Sequence, residues 1–324
     1  MGRLDVLVVT VDSTQGWRSS ARELTEAFKR AGAAAAYVTT DRPREVRTFA
    51  LTDFVQARAA RATASHAIAE HEPAAIVYCS TTAALLWPRP GAIWIDSLAA
   101  ENRPGRHGVW QRPVERRRLK QAPLVLAMSA RSLAPLADPR PRAVVAHSPV
   151  EPSGPAPGVR DIAALAYAAD PNKRRLDFLL SEWARARREG ETLLVAGIDP
   201  RDPVDGVEWV GRLPPEEYRA LLRRTRVFVA APRHEDYGIA ALEALADGCL
   251  LATTPASGPY PALALARQLD PRLVGNDLGR AVRAGLDDPL PGYAERAQEL
   301  LAPFGRDALE KTVADQVLPR LTPA

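Results

Sequence analysis

Short runs of apolar residues alternate with longer amphipathic stretches along the 324 residues of the chain. The runs are almost continuously hydrophobic, which is the pattern of strands buried on both faces of a parallel sheet. They predict eleven strands, at Leu4–Val11, Ala35–Thr39, Ala75–Cys79, Ala92–Ile95, Leu124–Met128, Ala143–Ala146, Ile162–Tyr167, Leu193–Ala196, Val207–Val210, Val227–Ala231 and Cys249–Thr253. The clearest helices between them are predicted at Ser19–Ala31, Thr52–Glu70, Arg174–Arg188, Pro215–Arg224 and Ile239–Ala246. This alternation predicts the α/β class, with a doubly wound sheet formed twice.

Proline and glycine crowd one segment near the middle of the chain, at Pro139, Pro141, Pro149, Pro152, Gly154, Pro155, Pro157 and Gly158. Because proline fixes φ and has no N–H to donate, this segment predicts an interdomain linker. We expect one Rossmann-like domain at residues 1–150 and a second at 151–306. Residues 307–324 predict a helix that could pack back on either domain, and we assign it to the first. Ligands of such domains bind at the carboxyl ends of the strands, so we expect a site in a cleft between the two.

Composition excludes several classes of protein. With 46% hydrophobic and 25% charged residues, the chain is neither disordered nor fibrous. Its net charge of +4 comes with only four lysines among 43 basic residues, a bias that indicates a GC-rich, bacterial genome rather than a nucleic-acid surface. The basic stretch Arg112–Lys120 is accordingly interpreted as a solvated helix face, and no nucleic-acid partner is expected.

Motifs of other enzyme classes are missing from the sequence. It contains no CxxC, DxD, GxxxxGK[ST] or GxGxxG pattern, and Pro73 directly follows His71-Glu72, which breaks any HExxH helix there. No metal and no resident cofactor are therefore expected. The chain has no apolar stretch of 18 residues and no recognisable signal peptide, which predicts a cytoplasmic protein with at most peripheral membrane contact.

The most informative segment runs from Ala231 to Gly248, between two predicted strands. Gly238 marks a sharp turn, and the helix that follows it places Glu235 in the loop at the strand's carboxyl end and Glu243 inside the helix. Backbone amides near the start of this helix would attract an anionic group. The two carboxylates could then accept hydrogen bonds from sugar hydroxyl groups while a phosphate binds between them.

The Glu235–Glu243 spacing, with Pro232-Arg233 before it and Ala244 and Gly248 after it, resembles the E-x7-E signature of retaining GT-B glycosyltransferases, most closely glycosyltransferase family 4. The resemblance implies a GT-B fold, two Rossmann-like domains facing a central cleft. It implies that Glu235 contacts the donor sugar and that Glu243 holds the ribose. The donor diphosphate would be bound by Arg233 and by backbone amides at Tyr237, Gly238 and Ile239.

A second part of the resemblance lies at residues 167–173. Lys173 matches a family lysine that binds the donor diphosphate, but Ala168 stands where the family has an arginine. The sequence leaves two substitutes for that arginine, Arg174 and Arg175, of which we expect Arg174 to bind the donor. The absent arginine also keeps open the possibility of an inactive GT-B binding or scaffold protein.

The resemblance is looser in the first 150 residues. Gly16 and Trp17 follow the first strand and match the family's glycine-containing acceptor loop. Ile95 stands where relatives have a histidine near the donor sugar, so Asp96 or His107 would replace it. The expected catalytic residues are thus Glu235, Lys173 and Asp96, with Gly16, Trp17 and His107 on the acceptor side.

The resemblance implies a retaining, metal-independent hexosyltransferase that moves sugar from a nucleotide-diphosphate donor to a hydroxyl group. The acceptor could be a small molecule, a glycan or a lipid-linked acceptor. A sugar-nucleotide epimerase of the same fold is an alternative that the E-x7-E context argues against.

Overall fold

The computed structural model of the chain describes residues 3–12, 15–41, 48–103, 105–136, 142–155 and 158–322. Parts of the predicted linker (Pro139, Pro141 and Pro157), of the acceptor loop (Ser13 and Thr14) and of the carboxy-terminal helix (residues 323 and 324) lie outside these ranges. Internal contacts divide the chain into two compact units. The amino-terminal unit comprises Met1–Pro149 with Phe304–Ala324, and the carboxy-terminal unit comprises Val150–Pro303.

The described part of the amino-terminal unit contains a six-stranded sheet. Its strands are β1 (Val6–Thr10), β2 (Ala35–Thr39), β3 (Ala75–Cys79), β4 (Ala92–Ile95), β5 (Val125–Ala127) and β6 (Ala143–Val145). The order across the sheet is β2-β1-β3-β4-β5-β6, and every neighbouring pair is parallel. Apolar side chains of the central strands, among them Leu7, Ile76 and Ile93, are fully buried between the sheet and its helices. This burial explains why the strands appear as continuous apolar runs in the sequence.

The carboxy-terminal unit contains a second parallel sheet of five strands within the described residues. Its strands are β7 (Ile162–Tyr167), β8 (Leu193–Ala196), β9 (Val207–Gly211), β10 (Thr225–Ala230) and β11 (Leu250–Thr253), in the order β11-β10-β7-β8-β9. The strand order reverses between β7 and β10, which are neighbours in the sheet. Both strands therefore send their following loops to the position where doubly wound folds bind ligands.

Helices connect most successive strands, and further helices follow the last strand. They are α1 (Gln15–Arg30), α2 (Phe49–His71), α3 (Thr81–Ala84), α4 (Ala99–Asn102), α5 (Gln111–Gln121), α6 (Leu176–Ala186), α7 (Pro215–Arg224), α8 (Ile239–Ala246), α9 (Pro261–Leu269), α10 (Leu278–Asp287), α11 (Tyr293–Leu301), α12 (Arg306–Thr312) and α13 (Leu318–Leu321), with a π-helical turn at Val313–Val317. Each predicted run forms a strand, and each of the five clearest helices is present, with ends shifted by a few residues. The predicted α/β class with doubly wound sheets is confirmed.

The last helices pack on the amino-terminal unit. The Arg306 guanidinium donates from Nε to the Glu23 carboxylate of α1 over 2.8 Å, and Arg30 of the same helix pairs with Glu310. The Phe304 ring lies 4.2 Å from the His147 ring, centroid to centroid. The end of the chain is therefore part of the first folded unit rather than of the second.

Candidate active site

The loop after β7 places two basic side chains at the carboxyl end of the sheet. The Asp170 carboxylate accepts a hydrogen bond from the Lys173 backbone N–H at 2.9 Å, and the Asp170 carbonyl accepts one from the Arg174 N–H at 2.9 Å. These bonds form a turn that stops the chain from entering α6 until Leu176. Lys173 and Arg174 therefore project from the end of the strand.

The loop after β10 supplies the carboxylates. The Glu235 backbone donates to the Ser257 carbonyl at 3.0 Å and accepts from the Tyr260 N–H at 3.3 Å, so both of its main-chain groups are anchored. Gly238 follows with φ of +75°, and a side chain at this position would lie 2.8 Å from the Tyr260 ring. Only glycine fits this close turn without strain, and α8 begins at the next residue, Ile239.

The two loops meet through a network of ion pairs. The Lys173 Nζ lies 3.3 Å from Glu235 Oε1 and 3.1 Å from Asp236 Oδ2, and the Arg174 guanidinium pairs with Glu235 Oε2. His234 Nε2 contacts the other Asp236 oxygen at 2.9 Å. The Glu235 side chain is only 5% exposed, and such a buried carboxylate requires opposite charge and hydrogen bonds. Lys173 and Arg174 supply them.

The structure distinguishes the two arginines that the sequence left open. Arg175 donates from Nε to the Ala231 carbonyl at 3.1 Å, and its guanidinium lies 4.2 Å from the centroid of the Phe178 ring. It is thus used to hold α6 against β10. Arg174 is the arginine beside Glu235, where burial lowers the pKa of its guanidinium. Ala168 is buried in the core of the unit, so the chain has no polar side chain at that position.

Arg233 joins the two loops through their backbones. Its N–H donates to the Lys173 carbonyl at 2.9 Å, and its guanidinium Nε donates to the Asn172 carbonyl at 3.1 Å. These contacts fix the separation of the loops. Tyr237, between Asp236 and Gly238, is buried, and Ile239 is half-buried at the start of α8.

Glu243 lies one turn inside α8 and shares a guanidinium with Asp247. Arg219 of α7 donates from Nε to Asp247 Oδ2 at 2.6 Å and has Nη1 3.6 Å from Glu243 Oε1. Burial raises the pKa of Glu243 to about 7. The Arg219 charge lowers this pKa, and the Asp247 charge raises it. Nearby, the Tyr218 hydroxyl is buried and lacks a hydrogen-bond partner within the described residues. The Glu243 carboxyl therefore has a weak cation contact and retains capacity to accept hydrogen bonds.

The sequence analysis missed several of these side chains. Asp236, His234, Arg219 and Asp247 were not among the candidates. One signal was available, because Asp247 directly follows the predicted helix, four residues after Glu243, and so lies near the same helix face. Two neighbouring carboxylates imply a basic partner, although only the fold identifies it as Arg219.

Three of the amino-terminal candidates, Gly16, Trp17 and Asp96, lie at the carboxyl edge of the first sheet, and His107 does not. The Trp17 ring packs edge-on against the buried Trp94 of β4, with centroids 6.1 Å apart, and the Gly16 carbonyl accepts from the Ser20 hydroxyl at 2.9 Å. Asp96 follows β4, and its carboxylate accepts the Ser97 N–H at 2.7 Å. His107 is exposed on a short 3₁₀ helix at Gly105–Gly108.

Side chains that could bind a metal or form a disulfide are dispersed over the described residues. No group of three or more His, Cys, Asp or Glu side chains within the described ranges is arranged to hold a metal ion. Cys79 and Cys249 are both buried and free, and burial raises the pKa of each thiol. Neither thiol is therefore a reactive nucleophile.

Residues 160–277 match the family described as Glycosyl transferases group 1. This segment contains Lys173, Arg174, Glu235 and Glu243, and its match identifies it as a glycosyltransferase group 1 region. The match lies within the second unit and does not extend into the first. None of the curated proteins compared with the chain shows significant sequence similarity.

Solved glycosyltransferase structures have the same fold over nearly the whole chain. WaaG, involved in lipopolysaccharide biosynthesis, aligns with a TM-score of 0.70 at 16% identity, covering 96% of this chain and 99% of its own. The chain has the GT-B fold. Sucrose-phosphate synthase from Thermosynechococcus elongatus aligns with a TM-score of 0.64 at 17% identity, covering 95% of this chain and 96% of its own. Trehalose 6-phosphate synthase from Burkholderia multivorans aligns with a TM-score of 0.62 at 13% identity, covering 99% of this chain and 98% of its own. The predicted GT-B fold is confirmed.

Proposed function

We propose that this GT-B chain is a retaining glycosyltransferase that transfers a sugar from a nucleotide-diphosphate sugar to an acceptor hydroxyl group without a metal ion. The observation that carries the proposal is the contact of Glu235 with both Lys173 and Arg174 next to the start of α8. It combines two cations, a carboxylate and the backbone N–H groups at the start of α8 at one strand edge. A sugar linked to a diphosphate has complementary groups, since its hydroxyls donate and its phosphates accept.

Each group has a role in the proposed reaction. Glu235 orients the donor sugar through its hydroxyls, and Glu243 accepts hydrogen bonds from the ribose. As the bond between the anomeric carbon and the phosphate oxygen breaks, Lys173 and Arg174 stabilise the negative charge that develops on the diphosphate. The acceptor oxygen attacks the same face, and its proton passes to the departing phosphate oxygen. The configuration of the anomeric carbon is thereby retained.

Metal independence is part of this proposal because the site offers cationic hydrogen-bond donors to a diphosphate, which would share them with Glu235 and Asp236. Two side-chain cations and the positive end of α8 stand where the diphosphate would bind, and they can perform the charge neutralisation that Mg²⁺ performs elsewhere. The acceptor is proposed to be a small molecule, a glycan or a lipid-linked acceptor. Asp96, Trp17 and Gly16 are the proposed contributors from the amino-terminal unit.

The first experiment is a thermal-unfolding panel with UDP, GDP, dTDP and ADP in the presence of EDTA, on wild type and Glu243→Ala. A ligand at 100 times its Kd adds about 2.7 kcal/mol to the free energy of unfolding, which is a readable shift. We expect one nucleotide to stabilise the wild type and not the variant. Turnover of its sugar conjugates, with the product's anomeric configuration determined by NMR, then tests transfer and retention.

A non-catalytic binding protein is the second candidate, favoured by the apolar Ala168. Stabilisation by a nucleotide without any turnover of its sugar conjugates, in a panel of acceptors, would support it. If no nucleotide stabilises the protein with or without Mg²⁺, the proposed donor site is wrong.

A further inference from the structure

Three of the exposed large apolar side chains lie together on the amino-terminal unit. Leu51 and Phe54 are on the first turns of α2 and are 47% and 41% exposed, and Val109 before α5 is 67% exposed. Phe54 packs edge-on against Trp110, with ring centroids 5.9 Å apart, and the Trp110 indole donates to the Ala50 carbonyl at 3.0 Å. Leu51 and Phe54 lie one turn apart on α2, Trp110 contacts Phe54, and Val109 directly precedes Trp110, so we group these four residues as one apolar patch.

The two helices that carry the patch are linked near their amino-terminal ends and, further along, through Trp87. Gln111 of α5 donates to the Asp53 carboxylate of α2 at 2.8 Å. Further along, Arg61 of α2 donates to the Trp87 carbonyl at 3.4 Å, and the Arg118 guanidinium of α5 lies 5.0 Å from the Trp87 ring centroid. The outer faces of α2 and α5 are therefore adjacent, and together with the patch they form what we term the docking face.

In the segments of the docking face nearest the patch, the exposed charges have one sign. Over residues 48–62 and 105–120 both acidic side chains turn inward: Asp53 accepts from Arg103 at 2.9 Å, and Glu115 accepts from the Ala99 N–H at 3.0 Å. Exposed side chains of these segments include six basic ones, Arg58, Arg61, Arg106, Arg116, Arg117 and Lys120. The whole chain has 43 basic and 39 acidic residues, so this segregation exceeds its general arginine bias.

We propose that the docking face binds the surface of an anionic lipid bilayer. Aromatic and aliphatic side chains enter the boundary between headgroups and acyl chains, while surrounding arginines and lysines contact anionic headgroups. Tryptophan is favoured at this depth because its ring is apolar and its N–H is polar. A nucleic acid would use the basic residues but gains nothing from the exposed Leu51 and Val109. No helix in the described part of the chain is long and apolar enough to cross a membrane. The proposal does not depend on the proposed function.

The test is co-sedimentation of the full chain with vesicles of phosphatidylcholine, with and without about 30% phosphatidylglycerol. We expect binding to the anionic vesicles only, and weaker binding as salt rises from about 0.1 to about 0.5 M because the charges are screened. The double variant Phe54→Ser, Val109→Ser and the double variant Arg116→Glu, Arg117→Glu should each lower the partition coefficient at least about tenfold.

Matched variants on the carboxy-terminal unit serve as controls. Val159 is exposed and apolar, and Arg201 and Arg267 are exposed and basic, so Val159→Ser and the double variant Arg201→Glu, Arg267→Glu should leave binding unchanged. Circular dichroism and thermal unfolding verify that all variants fold. Absence of vesicle binding, equal loss in the control variants, or binding of single-stranded RNA in place of vesicles would each overturn the proposal.

Discussion

The Lys173 ammonium group lies 3.3 Å from the Glu235 carboxylate, although the two residues belong to loops after different strands. Because β7 and β10 are neighbouring parallel strands, their carboxyl ends bring the two loops together. The pairing stabilises a buried carboxylate and orients a cation in the same contact. The first prediction concerns that cation.

Lys173→Met should lower turnover of the sugar nucleotide by about 100-fold, since it removes one stabilising charge from the proposed leaving diphosphate. Initial-rate kinetics with the donor identified by thermal unfolding provide the measurement. The matched control is Lys311→Met, because Lys311 is 80% exposed and pairs with Asp315 on α12 and the turn after it. Equal activity of the two variants would remove Lys173 from the mechanism.

Arg174→Ala and Arg175→Ala should affect different properties, the first ligand binding and the second stability. Loss of Arg174 is expected to weaken nucleoside diphosphate binding about tenfold or more, as a charged hydrogen-bond donor is lost. Loss of Arg175 should lower the Tm and leave Kd unchanged, because its guanidinium is bonded to the Ala231 carbonyl and packs on Phe178. Calorimetric titration and thermal unfolding measure both quantities. If Arg175→Ala weakens binding more than Arg174→Ala, our assignment of the donor arginine is wrong.

Glu243 should make stability depend on pH. Burial raises its pKa from 4.5 to about 7, so between these values the folded state holds a proton that the unfolded state releases. The free energy of unfolding should therefore fall as pH rises through this window, by at most about 3 kcal/mol from this group. Denaturant unfolding of Glu243→Gln at roughly pH 5 and roughly pH 7, the two ends of this window, should show a smaller fall than wild type. Parallel pH profiles would contradict the prediction.

The same titration should control nucleotide binding. If the ribose requires the Glu243 carboxylate, the ionised fraction of a group with pKa about 7 grows about tenfold between roughly pH 6 and pH 8. Affinity for the nucleoside diphosphate should improve by a similar factor. Glu243→Gln is the control, since it retains the pH dependence of the phosphates and loses that of the carboxylate. A wild-type profile identical to that of the variant would exclude an ionised Glu243 from binding.

Gly238→Ala should destabilise the protein by about 2–4 kcal/mol, because φ is +75° and the new methyl group would lie 2.8 Å from the Tyr260 ring. Gly190→Ala is a matched control. Its φ is +79° with no atom near the new Cβ, so only the backbone strain of about 1 kcal/mol remains. Denaturant unfolding compares the two. A similar loss at both positions would show that contact with Tyr260 contributes nothing.

Much of the fold was predictable because it is encoded locally. The buried strands of parallel sheets are continuous apolar runs, so β1, β7 and β10 could be located from the sequence within a few residues. Gly238 and the apolar helix after it likewise fixed where α8 begins. Strand order could not be read in this way, because it depends on which runs pair across long separations.

The sequence by itself determined the class of fold, the Glu235–Glu243 spacing and the presence of basic residues near β7. Only the tertiary structure decided that Arg174 rather than Arg175 pairs with Glu235. It also decided that Lys173 pairs with both Glu235 and Asp236, and that Arg219 lies between Glu243 and Asp247. The physical reason is that a helix or strand is specified by neighbours along the chain, whereas a buried charge takes its partner from whichever distant loop the sheet places beside it.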